Sequence, residues 1–189
     1  MQFTIKDKTF DSGRLNAFQQ LHVVRRLAPV TERLVALAGS AGDPEAFLGP
    51  LARTVGELPD ADVDYILNAC LDVTQIRQDT GGFARLRVNG VVMFPLDLTM
   101  LLGIAAHVLK DNLSGFFADL PSVLNRAGKA AESDGQDWLM RPVLRGLCRY
   151  EGLKDGTLSL EDVALMNDAL TVQEENERRF MAAKEKERA

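Results

Sequence analysis

Apolar residues in this chain recur mostly at helical spacing, broken in two places by the residue-by-residue alternation of short strands. Phe3 and Ile5, then Thr9 and Phe10, flank a polar reversal at Asp7-Lys8, and this predicts a small hairpin. After Ser12-Gly13, the positions Ala17, Phe18, Leu21, Val24 and Ala28 form one apolar stripe, predicting a helix from about Leu15 to Ala28. Pro29 cannot donate to the helical ladder and ends or kinks that helix. Thr31 to Ala38 reads as a second helical piece, Gly39 to Gly42 as a loop, and Asp43-Pro44 as a further helix start.

Asp60, following Pro59, is the next expected N-cap, with Val63, Ile66, Leu67, Cys70 and Thr74 on one face of the helix behind it. From Phe83 to Phe94, Arg85 and Arg87 alternate with apolar residues, and Asn89-Gly90 tolerates the positive φ of a type I′ turn. That pattern predicts a second hairpin. Asp97 then caps a helix from Leu98 to about Leu109 that is apolar almost all round. About a dozen residues fall short of the roughly 20 needed to span a bilayer, so the helix is expected to be buried in the fold or in a partner. Leu113, Phe116, Phe117, Leu120, Val123 and Leu124 continue the spacing, interrupted at Pro121.

A shift in composition follows. Gly128 to Asp137 is small and polar without large apolar residues, and reads as a linker. The expected organisation is a helical domain over 1–128, a linker over 129–137, and a small helical domain with a charged tail over 138–189. In the last piece Pro142 fits the first turn of a short helix to Tyr150, and Lys154-Asp155-Gly156-Thr157 is a turn. Ser159 with Asp162, and Thr171 with Glu174, have capping-box spacing and predict consecutive helices with a bend near Leu170. The stretch 174–189 balances five acids with five bases and reads as a solvated helix or a frayed tail. The fold class is mainly α with two small β-hairpins.

Composition narrows the function without naming it. The chain has 189 residues, 46% of them hydrophobic, with a formal net charge of −5. The net charge argues against broad binding to nucleic acid or anionic membranes, which needs a Lys/Arg surplus. Two cysteines, Cys70 and Cys148, suit a reducing compartment, and MQFTIKDKTF carries no signal-peptide pattern. No nucleophile elbow, P-loop, HExxH, dinucleotide fingerprint or CxxC pair is present. His22 and His107 both lie on or beside apolar stripes, where packing is the expected role. Cys70 on a stripe reads as a small hydrophobe, whereas Arg145 and Arg149 near Cys148 would favour a thiolate. Glu151 to Asp162 mimics a calcium loop around Gly156, but Leu153 falls at a ligand position and Asp162 is one methylene short of the usual Glu. Arg25-Arg26 is either a phosphate contact or an intramolecular partner for carboxylates. No cofactor and no metal are expected.

Two segments carry a resemblance. Phe3-Thr-Ile5 with Leu15-Asn-Ala-Phe-Gln-Gln-Leu-His-Val-Val-Arg-Arg-Leu-Ala-Pro29 resembles the opening of tail assembly chaperones of long-tailed bacteriophages and prophages. Arg141-Pro-Val-Leu, Gly146-Leu-Cys-Arg-Tyr-Glu151, Leu153-Lys-Asp-Gly-Thr-Leu158 and Asp162 to Leu170 resemble the small domain found beside them in tail gene clusters. The resemblance is loose over 3–128 and tighter over 138–177. It implies a non-enzymatic assembly factor that coats the tape measure protein in the host bacterial cytoplasm, helps recruit the major tail tube protein, and is absent from the mature virion. It also implies a homo-oligomer without nucleic-acid or membrane partners. Client contact would fall on Leu98, Leu101, Leu102, Ala105, Phe116 and Phe117, and tube-subunit contact on Trp138, Arg149 and Tyr150, since Trp, Tyr and Arg dominate interface hot spots. The alternatives are a structural virion component, such as a tail adaptor or minor tail protein, and a calcium-modulated protein built on the Asp155–Asp162 turn.

Overall fold

The computed structural model describes residues 1–30, 53–118 and 136–188. The expected elements over 31–52 and 119–135 lie outside the described residues. The chain is mainly helical with a small antiparallel sheet. Its contacts define two compact units, one of Met1–Leu15 with Gln19–Ser114 and one of Asn16–Phe18 with Gly115–Ala189.

In the first unit, β1 (Gln2–Ile5) and β2 (Lys8–Ser12) form the expected hairpin, paired Ile5 to Lys8. The turn is therefore Lys6-Asp7, one residue earlier than the polar pattern suggests, with Lys6 at φ 55°. Helix α1 (Ala17–Leu27) passes into a 3-10 turn over Ala28–Val30, so Pro29 does end the α-helix. Its buried face is rotated from the expected stripe. Ala17, Gln20, Val23, Val24, Leu27 and Val30 are buried, while Ala28 is exposed and Phe18 and Leu21 are only half-buried. Gln20 tolerates burial because its Nε2 donates to the Leu15 carbonyl at 2.9 Å.

Helix α2 (Asp60–Asp72) starts one residue earlier than a cap at Asp60 would give. Pro59 occupies the cap position without a side-chain bond, and Asp60 and Asp62 instead lie in the first turn, where acids favour the helix dipole. Thr74 is not on that helix. It opens strand β3 (Thr74–Arg77), which pairs with β2 on one side and with β4 (Phe83–Arg85) on the other. The first hairpin is thus part of a four-stranded sheet in the order β1-β2-β3-β4, where the sequence pattern predicts two separate hairpins. Phe3, Phe10, Ile76 and Ala84 are cross-strand neighbours along this sheet, and Phe10 is fully buried.

The Asn89-Gly90 turn is present, with φ of 50° and 84°, and joins β5 (Arg87–Val88) to β6 (Val91–Val92). The hairpin is shorter than Phe83–Phe94 because its first strand segment pairs with β3 instead. Buried Leu86 sits between the two sheets, donating to the Thr74 carbonyl and accepting from the Met93 amide.

Helix α3 runs from Leu98 to Ala118, 21 residues instead of the expected dozen. Asp97 caps it as predicted, accepting from the Met100 amide at 2.9 Å. Asp97 also accepts from Lys6 Nζ, and that hydrogen bond is the main reason its carboxyl titrates below the ordinary value. Further along, Gly103 is where Ile5 crosses, since a Cβ there would meet Ile5 Cδ1 at 2.7 Å. His107 stacks on Phe3 at 4.3 Å, and Asn112 Oδ1 accepts from the Leu15 amide at 2.7 Å.

In the second unit, α4 (Gln136–Leu144) begins inside the stretch expected to be linker, and Pro142 lies near its end rather than in its first turn. Pro142 cannot donate to the Trp138 carbonyl four residues back. Asn167 Nδ2 donates to that carbonyl instead, at 3.0 Å. Gly146, at φ 75°, then closes a Schellman cap, with Leu147 N donating to Pro142 O and Gly146 N to Val143 O. A short helix, α5 (Tyr150–Lys154), and the expected turn at Asp155–Thr157 lead to α6 (Leu160–Arg188). The Ser159–Asp162 capping box is formed in both directions, Ser159 N to Asp162 Oδ2 at 2.8 Å and Asp162 N to Ser159 Oγ at 3.2 Å. The second box is not. Thr171 Oγ1 bonds back to the Asn167 carbonyl and Glu174 pairs with Arg141 and Arg145, so α6 continues through Leu170 as one helix of 29 residues.

Asn167 is 4% exposed, and Asn167→Leu should lower the stability of this unit by about 2–3 kcal/mol, because the Trp138 carbonyl loses its donor. In a Pro142→Ala background, where residue 142 regains an N–H, the same substitution should cost measurably less. Urea unfolding followed by the fluorescence of the single tryptophan tests this; equal costs in the two backgrounds would contradict it.

Candidate functional site

The titratable side chains singled out by sequence serve the fold. Cys70 is buried and its thiol is pushed up to about 12 by desolvation, so it packs as a hydrophobe. The Cys148 thiol is also pushed up by burial, opposite to the shift that the nearby arginines would produce. Arg26 lies with its Nε 3.1 Å from Asp62 Oδ1 and its guanidinium 3.9 Å above the Tyr65 ring, while its Nη1 donates to the His22 carbonyl. It therefore holds α1 against α2, the intramolecular alternative considered above. Burial raises the Tyr65 hydroxyl above its ordinary value, with Arg26 opposing.

The calcium-like turn spends its carboxylates on backbone. Asp155 Oδ1 accepts from the Thr157 amide at 2.8 Å, and Asp162 Oδ2 accepts from both groups of Ser159. Among the described residues no three His, Cys, Asp or Glu side chains group in a way that could hold a metal ion. No helix among them is long and apolar enough to cross a membrane, α3 included, because its second half carries Lys110, Asp111 and Asn112.

The remaining chemistry is apolar surface, and the structure distributes it differently from the sequence pattern. On α3, Leu102 and Ala105 are buried with Met100, Ile104, Val108 and Leu113, so these two expected contact residues belong to the core. Leu101 is half-buried, and Leu98 is 67% exposed. Phe116 and Phe117 lie at the end of α3, beyond the residues whose side chains are described. Trp138 is half-buried, and Arg149 and Tyr150 are exposed.

Sequence reasoning missed an exposed apolar group among the described residues of the first unit. Val88, Val91, Val92 and Met93, all exposed, sit on the β5–β6 hairpin. The hairpin is fixed at its base by Leu86 and by Arg87, whose Nη1 donates to both carboxylate oxygens of Asp72 at 2.7 and 2.8 Å. Asp72 ends α2, where an acid opposes the helix dipole, and Arg87 offsets that charge. The signal available in the sequence was the run Val91-Val92-Met93 directly after the turn, with no polar alternation to bury one face.

A family model described as phage tail assembly chaperone protein, TAC, matches residues 6–125, more than half of the chain. The chain belongs to this tail assembly chaperone family. The match covers strands β2, β3 and β4 of the four-stranded sheet, the exposed hairpin and α3. A second model, a family of unknown function (DUF6889), matches residues 148–187, which hold α5 and nearly all of α6. No curated protein and no solved structure matches the chain. The exposed hairpin therefore lies in the chaperone-like part, and the second unit ends in a module without an assigned role.

His107 gives the first unit an acid-side sensitivity. Desolvation, with a smaller contribution from Lys110, lowers its pKa below 6.5. Below pH 6.5 the unfolded chain takes up a proton that the folded chain resists, so stability falls as pH drops from 7 through the folded pKa. His107→Phe, which keeps a ring against Phe3, should shrink the fall in Tm between pH 7.5 and 5.5. Circular dichroism melts of both proteins check this, and parallel pH profiles would refute it.

Proposed function

We propose that this tail assembly chaperone acts on the tape measure protein, keeping its long helical segments soluble in the host cytoplasm before the tail tube closes around them. The observation that carries the reading is the conjunction of the family match over 6–125 with an exposed apolar hairpin inside that stretch. Tail assembly needs transient, reversible coverage of apolar helices, and Val88, Val91, Val92, Met93 and Leu98 offer apolar contact without a catalytic group. Leu101 can add to such a contact from its half-buried position. Trp138, Arg149 and Tyr150 in the second unit remain the candidate anchors for the tail tube protein, being aromatic or guanidinium groups with accessible surface. A factor of this kind releases its client and is not retained in the finished virion.

Co-expression with the cognate tape measure protein tests the reading. The wild-type chain should hold the client in the soluble fraction and co-purify with it. Val91→Asp combined with Met93→Asp, both at exposed positions, should reduce that soluble client by about tenfold while leaving the melting temperature of the chaperone itself within a few degrees. If the client aggregates with or without the wild-type chain and no complex forms, the function is wrong. Mass spectrometry of purified particles separates a chaperone, absent from them, from a tail adaptor present at fixed copy number.

A further inference from the structure

Helix α6 has two apolar faces on opposite sides, and among the described residues of the unit only one of them is buried. The inner face, Leu160, Val163, Ala164, Asn167 and Leu170, is buried. At about 100° per residue, Leu165, Ala169, Val172, Asn176, Phe180 and Ala183 fall within a sector of about 80°, roughly 170° around the helix from that inner face. All six are exposed, with Leu165 at 72%, Val172 at 61% and Phe180 at 67%. The stripe covers 18 residue steps, about 27 Å of helix. A solvated helix has no need of such a stripe.

The charges say what fits it. Residues 160–177 contain six acids and no base, while 178–188 contain five bases and two acids. Along one border of the stripe, Glu161, Asp168 and Glu175 are followed by Arg179 and Lys186, spaced by 7, 7, 4 and 7 residues. The helix dipole favours acids early and bases late, but it acts within the terminal turns and does not account for a polarity sustained over the whole helix. Two copies of α6 laid parallel would set acid against acid and base against base. Laid antiparallel, they bring that same border of each copy together, acids of one against bases of the other.

We propose that α6 is a self-association surface, pairing antiparallel with α6 of a second copy through the Leu165–Ala183 stripe, with the two-fold axis near Asn176. A two-fold interface must be self-complementary, and a helix that is acidic in one half, basic in the other and apolar along a single stripe satisfies that requirement. The pairing gives the module of unknown function over 148–187 a role in assembly, independent of which client the first unit holds. Intrahelical pairs such as Glu175 with Arg179, at 2.9 Å, order these side chains along the border in advance.

Sedimentation velocity of the full chain over a range of concentrations should show a monomer–dimer equilibrium that weakens as salt is raised. Val172→Asp should weaken dimerisation at least about tenfold without changing the circular dichroism spectrum, and Ala169→Glu on the same stripe provides a second variant. Orientation is read by oxidative cross-linking in a Cys148→Ser background. Asn176→Cys, near the axis, should cross-link to itself, while Leu165→Cys should not, because antiparallel pairing separates the two copies of residue 165 by roughly 30 Å. A chain that stays monomeric at all concentrations, including one whose stripe binds only the client, would overturn the proposal. So would a dimer indifferent to both stripe variants, or self-cross-linking of Leu165→Cys.

Discussion

The first unit depends on one helix lying along one hairpin. Strands of three to five residues do not hold together as an isolated sheet, and α3 supplies the surface they need. Four ties run along its length, Asp97 to Lys6, Gly103 under Ile5, His107 against Phe3, and Asn112 to Leu15. Between them Met100, Leu102, Ile104, Ala105, Val108 and Leu113 are buried. At about 1.5–3 kcal/mol for each large side chain, this burial is on the order of 10 kcal/mol, comparable with the net stability of a whole domain. Among the described side chains of the helix, Leu98 is the one large apolar group left exposed. The apolar excess that draws attention in the sequence is mostly what keeps the sheet folded.

That constraint moves the candidate contact surface. If α3 is committed to the core, exposed apolar area has to come from an element the core does not need, and the β5–β6 hairpin is such an element. Its two-residue strands form a sheet of their own, attached through Leu86 and the Arg87–Asp72 pair. Substitutions there leave the sheet and helix contacts intact, and this makes the hairpin separable from stability in a way that Leu102 and Ala105 are not. An exposed apolar hairpin is consistent with a family of tail assembly chaperones.

What could be read from the sequence was what short-range physics decides. Asn89-Gly90 specifies its turn through two positive φ angles, Asp97 its helix start through one hydrogen bond, and Ser159 with Asp162 a cap through two. The misread elements are those settled by distant partners. Thr74–Arg77 follows a helix with no break and carries a helical apolar spacing, yet it becomes a strand because Lys8–Ser12, more than sixty residues earlier, and Phe83–Arg85 both pair with it. The face of α1 is a local exception, since Gln20 donates to the Leu15 carbonyl, a bond that no periodicity counts. The burial of Leu102 and Ala105 is settled by distant partners, as β3 is, because it depends on a sheet whose third strand the helical spacing does not reveal.

The second unit shows how an interior polar group sets an exterior surface. Pro142 removes the donor that the Trp138 carbonyl would have had, and the amide of Asn167 fills the place while also bonding the Val163 carbonyl. Arg141 adds contacts to Asn167, Thr171 and Glu174, and its hydrogen bond is the main reason the Glu174 carboxyl titrates below the ordinary range. These bonds are directional, so α6 cannot rotate about its axis without leaving a buried carbonyl and a buried amide unpaired. Apolar packing alone would permit such a rotation, because the helix is apolar on both sides and either could face inward. The polar network therefore decides which stripe is covered and which is left outside. Leu165, Val172 and Phe180 point to solvent as a consequence of where Asn167 must point.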